Sequence, residues 1–247
     1  MSAVAIIPAR YTSTRLPGKP LLAETGKPLI QHVVESIRPA KRIERIVVAT
    51  DDRRIVAAVE AFGGQAVMTR PDHPCGTDRI NEAAAKLELA EDDIVVNVQG
   101  DEPDMDSTCV DKLVALLEGS DAPMATLAAA LPAEQAEDPH KVKVVLDSRG
   151  RAMYFSRSRI PYDRDRSGAI RYLLHLGIYA YRVEFLKKFA ALPPTPAEKA
   201  EKLEQLRALE HGYAIAVAVV DYHGLGIDTP ADYAAFVARV RSATRRA

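Results

Sequence analysis

Three cations fall within one loop near the start of the chain. Arg10, Arg15 and Lys19 lie in segment 8–19, and no Asp or Glu precedes Glu24, so nothing close in sequence neutralises them. Pro8, Pro17 and Pro20 stiffen the segment and lower the entropy lost on ordering it. Gly18 lets backbone amides approach an anion. That combination suits phosphate groups. It is not a P-loop, because the G-x-x-x-x-G-K-[ST] spacing is absent and Pro20 follows the lysine, and no G-x-G-x-x-G dinucleotide fingerprint is present. Two carboxylates complement the cations. Asp101 follows the apolar run 94–98 through Gln99 and Gly100, and Asp228 stands just outside a helix start at Thr229-Pro230-Ala231-Asp232. Hard cations such as Mg²⁺ take oxygen ligands, commonly one or two carboxylates plus substrate phosphates. Each aspartate also reads as structural, Asp101 as a turn residue before Pro103 and Asp228 as a helix-entry residue.

Such residues need a scaffold that presents loops along one edge. Segment 3–7 is an unbroken apolar run, as in an inner strand of a parallel sheet covered on both faces. Helical spacing follows over 28–38, with Pro28 at the first helical position. Further strands are expected at 45–50, 65–68, 93–98, near 124–129 and at 215–220. Helices are expected from 51 to 62, then over 78–89, 110–117, 198–212 and 230–240, with Glu198 and Lys202 as an i,i+4 pair and Gly212 as a stop. Alternation at this period predicts an α/β fold with a doubly wound, mainly parallel, Rossmann-like sheet, in which ligands bind at the carboxyl ends of the strands.

The character of the chain changes over 151–182. Seven arginines stand there against Asp163 and Asp165, together with Tyr154, Phe155, Tyr162, Tyr172, Tyr179 and Tyr181, six of the fourteen aromatics. Two β-rich stretches flank a polar loop around 163–168. Arginines and aromatics are enriched at protein interfaces, and arginines grip carboxylates bidentately. No nucleic-acid motif accompanies them. The expectation is one domain over 1–247, with 151–182 a β-rich subregion serving sugar binding and dimerisation.

Several motifs together resemble the cytidylyltransferases that activate acidic sugars, of the nucleotide-diphospho-sugar transferase-like family. They are Pro8-Ala9-Arg10-Tyr11-x-Ser13-x-Arg15-Leu16-Pro17-Gly18-Lys19-Pro20, Asn97-Val98-Gln99-Gly100-Asp101-Glu102-Pro103, Tyr154-Phe155-Ser156-Arg157, His175-Leu176-Gly177-Ile178-Tyr179, Leu203-Glu204-Gln205-Leu206-Arg207 and Asp228-Thr229-Pro230. The resemblance runs in order along essentially the whole chain. It implies CTP and 3-deoxy-D-manno-octulosonate (Kdo) as substrates, CMP-Kdo and pyrophosphate as products, Mg²⁺ as cofactor, and a homodimer serving bacterial lipopolysaccharide synthesis. By the same resemblance Arg10 and Lys19 contact the triphosphate, and Asp101 and Asp228 hold the metal. Pro8, Ala9, Gly76, Thr77, Asp78, Arg79 and Gln99 line the nucleotide site, while Arg15, Gln99, Arg157, His175, Tyr179, Glu204 and Gln205 hold the sugar acid. On their own, His175 also reads as a satisfied histidine between leucines and Glu204 as a solvated helix residue. One departure is Cys75, where the family usually has Ser before Gly-Thr; a thiol is a poorer hydrogen-bond partner than a hydroxyl.

Composition narrows the remaining classes. The chain has 247 residues, 47% of them hydrophobic, with a net charge of −1, so no global field draws it to nucleic acid or anionic membrane. Its apolar runs are shorter than a spanning helix needs, and the N-terminus reads as a core strand with no basic leader, so a cytoplasmic protein is expected. Two cysteines make no disulfide scaffold, and the histidines show no zinc-binding spacing. Two rivals stay open. A glycosyltransferase would use Asp104-Met105-Asp106 as a D-x-D metal motif but would leave the cationic loop unexplained, and a non-catalytic nucleotide-binding module would release no pyrophosphate.

Overall fold

The computed structural model describes residues 2–12, 16–222 and 224–244. The chain divides into two compact units, one of residues 1–111 and 223–247, the other of residues 112–222.

The first unit is built on four strands, β1 (Ala3–Ala9), β2 (Arg45–Thr50), β3 (Gln65–Met68) and β4 (Ile94–Asn97). They lie in the order β3-β2-β1-β4 and every pairing is parallel. Val4, Ala5, Ile6 and Ile7 of β1 are all fully buried, as the unbroken apolar run requires of a central strand. Helices α1 (Leu29–Ile37), α2 (Arg53–Ala61) and α3 (Gly76–Lys86) connect the strands. Each buries one stripe: Leu29, Ile30, Val33, Val34 and Ile37 on α1, Ile55 and Val59 on α2, Ile80, Ala83 and Ala84 on α3. Each large aliphatic side chain so buried contributes about 1.5–3 kcal/mol. Asp52 caps α2 by accepting a hydrogen bond from the Arg54 amide, and Pro28 precedes α1 as its cap instead of opening it. Helix α4 (Ser107–Glu118) contains the boundary between the units.

After the second unit the chain returns as helix α8 (Pro230–Thr244). Thr229 and Asp232 form the expected reciprocal cap, the Asp232 carboxylate accepting from the Thr229 amide at 2.8 Å and the Thr229 hydroxyl accepting from the Asp232 amide at 3.2 Å. Tyr233, Phe236 and Val237 of α8 pack with Leu29 and Ile227. That cluster fixes Ile227, and with it the backbone at Asp228.

The second unit is built on β5 (Met124–Leu131), an almost wholly buried strand flanked by β8 (Tyr172–Arg182), antiparallel, and β9 (Ile215–Val220), parallel. The hairpin of β6 (Lys143–Leu146) and β7 (Ala152–Ser156) joins β8 through Lys143. Lys143 is fully buried, and its ammonium donates to the carbonyls of Asp138 at 3.0 Å and Arg157 at 2.6 Å. Helices α5 (Val183–Ala191), α6 (Pro196–Glu201) and α7 (Gln205–Glu210) complete the unit. The expected helix over 198–212 is therefore two. Lys202 takes a left-handed conformation at φ 55° and ends α6. Glu198 does not pair with Lys202 but receives two hydrogen bonds, 2.9 and 2.6 Å, from the Arg207 guanidinium on α7. Strand β6 and helix α5 have no counterpart in the sequence expectation. Both units are mixed α/β; the sheet of the first unit is parallel throughout its pairings, as expected, whereas in the second unit only β5 and β9 pair in parallel and β8, β6 and β7 run antiparallel to their neighbours. Among the described residues no helix is long and apolar enough to cross a membrane.

Candidate active site

In the first unit, β1 and β4 run side by side in parallel register, Ile6 opposite Asn97, so the loops leaving them start as neighbours. Their approach is closest at Gly100, where a Cβ would lie 2.8 Å from the Pro8 carbonyl oxygen; any other residue would push the loops apart. The first loop folds back through a 3.1 Å hydrogen bond from the Gly18 amide to the Tyr11 carbonyl, with Gly18 at φ 67°. The Arg54 guanidinium stacks on the Tyr11 ring at 3.4 Å from its centroid. A cavity of about 420 Å³ results. It is lined by Pro8, Ala9, Arg10, Lys19, Gly76, Arg79, Gln99 and Asp101, all expected site residues, and by Thr12, Pro20 and Gly100, for which no site role was expected. Arg15 lies outside the described residues.

The far wall of the cavity is the start of α3. Thr77 is buried in its first turn and does not line the cavity, nor does Asp78, which accepts a 3.0 Å hydrogen bond from the Cys75 thiol. Arg79 is 1% exposed; it donates to the Thr69 hydroxyl at 2.6 Å and to the Asp51 carboxylate at 2.9 Å. Its guanidinium thus holds the end of β3 as well as lining the cavity. One turn on, Glu82 accepts from the Arg70 amide, from His73 and from Lys86. Desolvation opposes its ionisation, but the hydrogen bonds from Lys86, the Arg70 amide and His73 outweigh it and bring its pKa down to about 2. Loop 69–75 is thereby tied to α3 at both ends.

The two aspartates meet through backbone and cation together. The Ile227 amide donates to the Asp101 carbonyl at 2.9 Å, which sets Asp228 beside Asp101. The Lys19 ammonium lies 2.7 Å from Asp101 Oδ2, 2.8 Å from the Ile227 carbonyl and 3.7 Å from Asp228 Oδ1. An all-oxygen nest holding a cation fits Mg²⁺ in donor chemistry. Among the described residues no group of three or more His, Cys, Asp or Glu side chains gathers, so a divalent ion here would complete its shell with phosphate oxygens and water.

In the second unit, His175 and Tyr179 are joined in one aromatic row. The His175 ring packs edge-on to Phe155 at 4.8 Å and against Tyr179 at 5.4 Å, and Tyr179 stacks on Tyr181. Burial lowers the His175 pKa to about 3, keeping the ring neutral, and burial followed by the Glu204 charge raises Tyr179. Arg157 is braced rather than free: its Nε donates to the Glu201 carbonyl at 2.7 Å and one terminal nitrogen to Pro139 at 2.9 Å. Glu204 and Gln205 stand at the start of α7, with Glu204 3.3 Å from Arg207. Gln205 is 3% exposed, and its Nε2 is one of the two buried side-chain polar atoms without a hydrogen-bond partner among the described residues. A buried amide donor left open is costly unless a ligand satisfies it. Thr126, which bonds His175, was not singled out in the sequence; its signal is that it is the one polar residue in the strand MATLAAAL.

A family model described as cytidylyltransferase matches residues 4–215. The chain is 53% identical over 242 residues to a 3-deoxy-manno-octulosonate cytidylyltransferase of Syntrophobacter fumaroxidans, covering 96% of each chain. It is 51% identical over 235 residues to an 8-amino-3,8-dideoxy-manno-octulosonate cytidylyltransferase of a Shewanella species (strain W3-18-1), covering 94% of this chain and 96% of that one. A solved structure of a CMP:2-keto-3-deoxy-manno-octonic acid synthetase complexed with CTP is similar with a TM-score of 0.93 and 46% identity, covering 98% of this chain and 99% of that one.

Proposed function

The chain belongs to the cytidylyltransferase family, and from that premise we propose that it transfers CMP from CTP to the anomeric hydroxyl of Kdo, releasing pyrophosphate. The observation that carries this reading is the cavity in which Arg10 and Lys19 share walls with Asp101. Cations there would neutralise a triphosphate, and the carboxylates suit a magnesium ion in donor chemistry.

In the reaction the sugar hydroxyl oxygen forms a bond to the α-phosphorus, the bond from that phosphorus to the bridging oxygen breaks, and the hydroxyl proton passes to solvent. Such transfers need positioning and charge stabilisation more than a protein nucleophile. Arg10 and Lys19 supply charge at the phosphates, and the loop of Pro8 and Ala9 with Gly76 and Gln99 shapes the nucleotide pocket. Asp101 and Asp228 would hold Mg²⁺, which when bound offsets phosphate charge. Arg15, Gln99, Arg157, His175, Tyr179, Glu204 and Gln205 are assigned to the sugar acid, supported in this chain by the open amide of buried Gln205.

The product is an activated sugar donor for bacterial lipopolysaccharide assembly, and the setting is the cytoplasm. A homodimer using part of 151–182 is supported by exposed Met153, Tyr154 and Tyr162 in that stretch. Light scattering at micromolar concentration tests it; a monomer mass independent of concentration would reassign those side chains. Catalysis is tested by pyrophosphate release from CTP, Mg²⁺ and Kdo, where omitting any one abolishes the signal. Equal release with UTP and a neutral hexose 1-phosphate would overturn the acidic-sugar assignment and leave a nucleotidyltransferase.

A further inference from the structure

Strand β8 carries an irregularity where it passes β5. Pairing runs Thr126 with Tyr179 and then Leu127 with Leu176, so Gly177 and Ile178 lie between paired positions. A bulge of this kind takes backbone groups out of the ladder, and buried carbonyls need donors. The Thr126 hydroxyl, fully buried, fills that need: its oxygen lies 2.7 Å from the Ile178 carbonyl and 3.1 Å from the Leu176 carbonyl. The same oxygen lies 3.1 Å from Nε2 of His175.

A hydroxyl has one hydrogen. Carbonyl oxygens only accept, so if that hydrogen pointed at His175 the hydroxyl oxygen would face the Ile178 carbonyl at 2.7 Å with lone pair against lone pair. The hydrogen therefore goes to the carbonyls, and the hydroxyl presents only lone pairs to the ring. Nε2 must then carry the proton, and in a neutral imidazole the other nitrogen is left bare. Phe155, edge-on at 4.8 Å, and Tyr179, tilted at 5.4 Å, pack against the ring.

We propose that Thr126 is a positioning residue that fixes His175 as the Nε2-protonated tautomer, so that Nδ1 accepts a hydrogen bond from a hydroxyl of the sugar and turns away its carboxylate. The identity of the sugar rests on the function proposed above; the tautomer does not. Burial, which keeps the ring neutral at working pH, agrees with it. In this assignment the arginines read the acid and His175 reads a hydroxyl, so the two kinds of group on the substrate cannot exchange places.

The test starts with the resting protein. Ring-nitrogen NMR of histidine-labelled protein at neutral pH, with the His175 signals assigned by their loss in His175→Gln, should show a protonated Nε2 and a bare Nδ1. A protonated Nδ1 with bare Nε2, or an imidazolium, overturns the proposal without any variant at Thr126. Thr126→Ser, which keeps the hydroxyl, should preserve the tautomer and leave the KM for Kdo within about twofold. Thr126→Val, which keeps the shape, should mix the tautomers and raise the KM for Kdo about tenfold while the KM for CTP stays unchanged. If Thr126→Val loses the tautomer and the KM for Kdo does not move, the positioning role is overturned. Absence of turnover in wild type counts against the cytidylyltransferase reading, and the resting-state spectrum then decides the tautomer by itself.

Discussion

The ammonium of Lys19 lies 2.7 Å from Oδ2 of Asp101, so a cation of the cavity is paired with a carboxylate proposed to hold metal. It also donates to the Ile227 carbonyl at 2.8 Å and lies 3.7 Å from Asp228. One ammonium cannot saturate two carboxylates and a phosphate at once. On the proposed roles, a triphosphate arriving with its counter-ion would draw Lys19 toward the phosphates and free the aspartates, and nucleotide and metal binding would be coupled.

Replacing Lys19 by Ala is expected to lower kcat by about 10²- to 10³-fold, the usual loss when one preorganised donor to developing charge is removed. The KM for Kdo should change little, since Lys19 lies in the cavity proposed for the nucleotide. Steady-state kinetics with both substrates varied checks this. A kcat within about twofold of wild type would remove Lys19 from the mechanism.

The same substitution should act in the opposite sense on metal affinity without nucleotide. With the internal cation gone, Asp101 and Asp228 lose their competitor, and Mn²⁺ should bind about tenfold more tightly to Lys19→Ala than to wild type. Electron paramagnetic resonance of free Mn²⁺ reads this directly. Asp101→Asn should weaken binding in both backgrounds, and chelation should abolish pyrophosphate release until Mg²⁺ is restored. Equal Mn²⁺ affinity in wild type and Lys19→Ala would show that the ammonium does not compete.

Much of the first unit is legible in the chain because its signals are local. The strand at 45–50 follows from an apolar run and the first strand from another at 3–7, which the structure extends to Ala9, and loop 8–19 carries its cations within a dozen residues. The tie of Arg79 to Asp51 and Thr69 is not legible, because it joins residues 28 and 10 positions apart whose types alone suit solvent or ligand equally. The break at Lys202 is hidden for a similar reason. Helix propensity over 198–212 is continuous, and only the distant pairing of Glu198 with Arg207 favours two short helices. Thr126 shows only as a polar residue out of place in an apolar strand; its partners lie 49 to 52 positions away.

Glu82 should make stability pH-dependent in acid. Its pKa in the folded protein is about 2, below its ordinary value of 4.5, so the folded state binds the proton less readily than the unfolded state. The resulting stabilisation is fully present above about pH 4.5 and is lost as pH falls toward 2. With solvent screening reducing the full value, about 1 to 2 kcal/mol is at stake. Glu82→Gln should therefore lower the stability measured by urea unfolding at pH 7 by that amount, and the difference from wild type should shrink between pH 4.5 and 2. A difference constant across that range would mean that the loop is held by packing and not by the charge.

Cys75 precedes Gly76 at the cavity wall and holds the N-cap position of α3 without a side-chain bond to the helix amides, its thiol donating instead to Asp78 at 3.0 Å. A hydroxyl does the same work at shorter range and also accepts from the helix amides, as serine prefers to do at an N-cap. Cys75→Ser should thus raise stability by up to about 1 kcal/mol and keep kcat/KM for CTP within about twofold. Cys75→Ala removes the donor to Asp78 and should lower the melting temperature and raise the KM for CTP through the loosened first turn that bears Gly76. Thermal unfolding and initial rates on both variants separate the cases. A loss of more than about tenfold in kcat/KM for the serine variant, about 1.4 kcal/mol of transition-state stabilisation, would mean that the thiol itself takes part in the chemistry, which the absence of a histidine near it in sequence beyond buried His73, bound to Glu82, argues against.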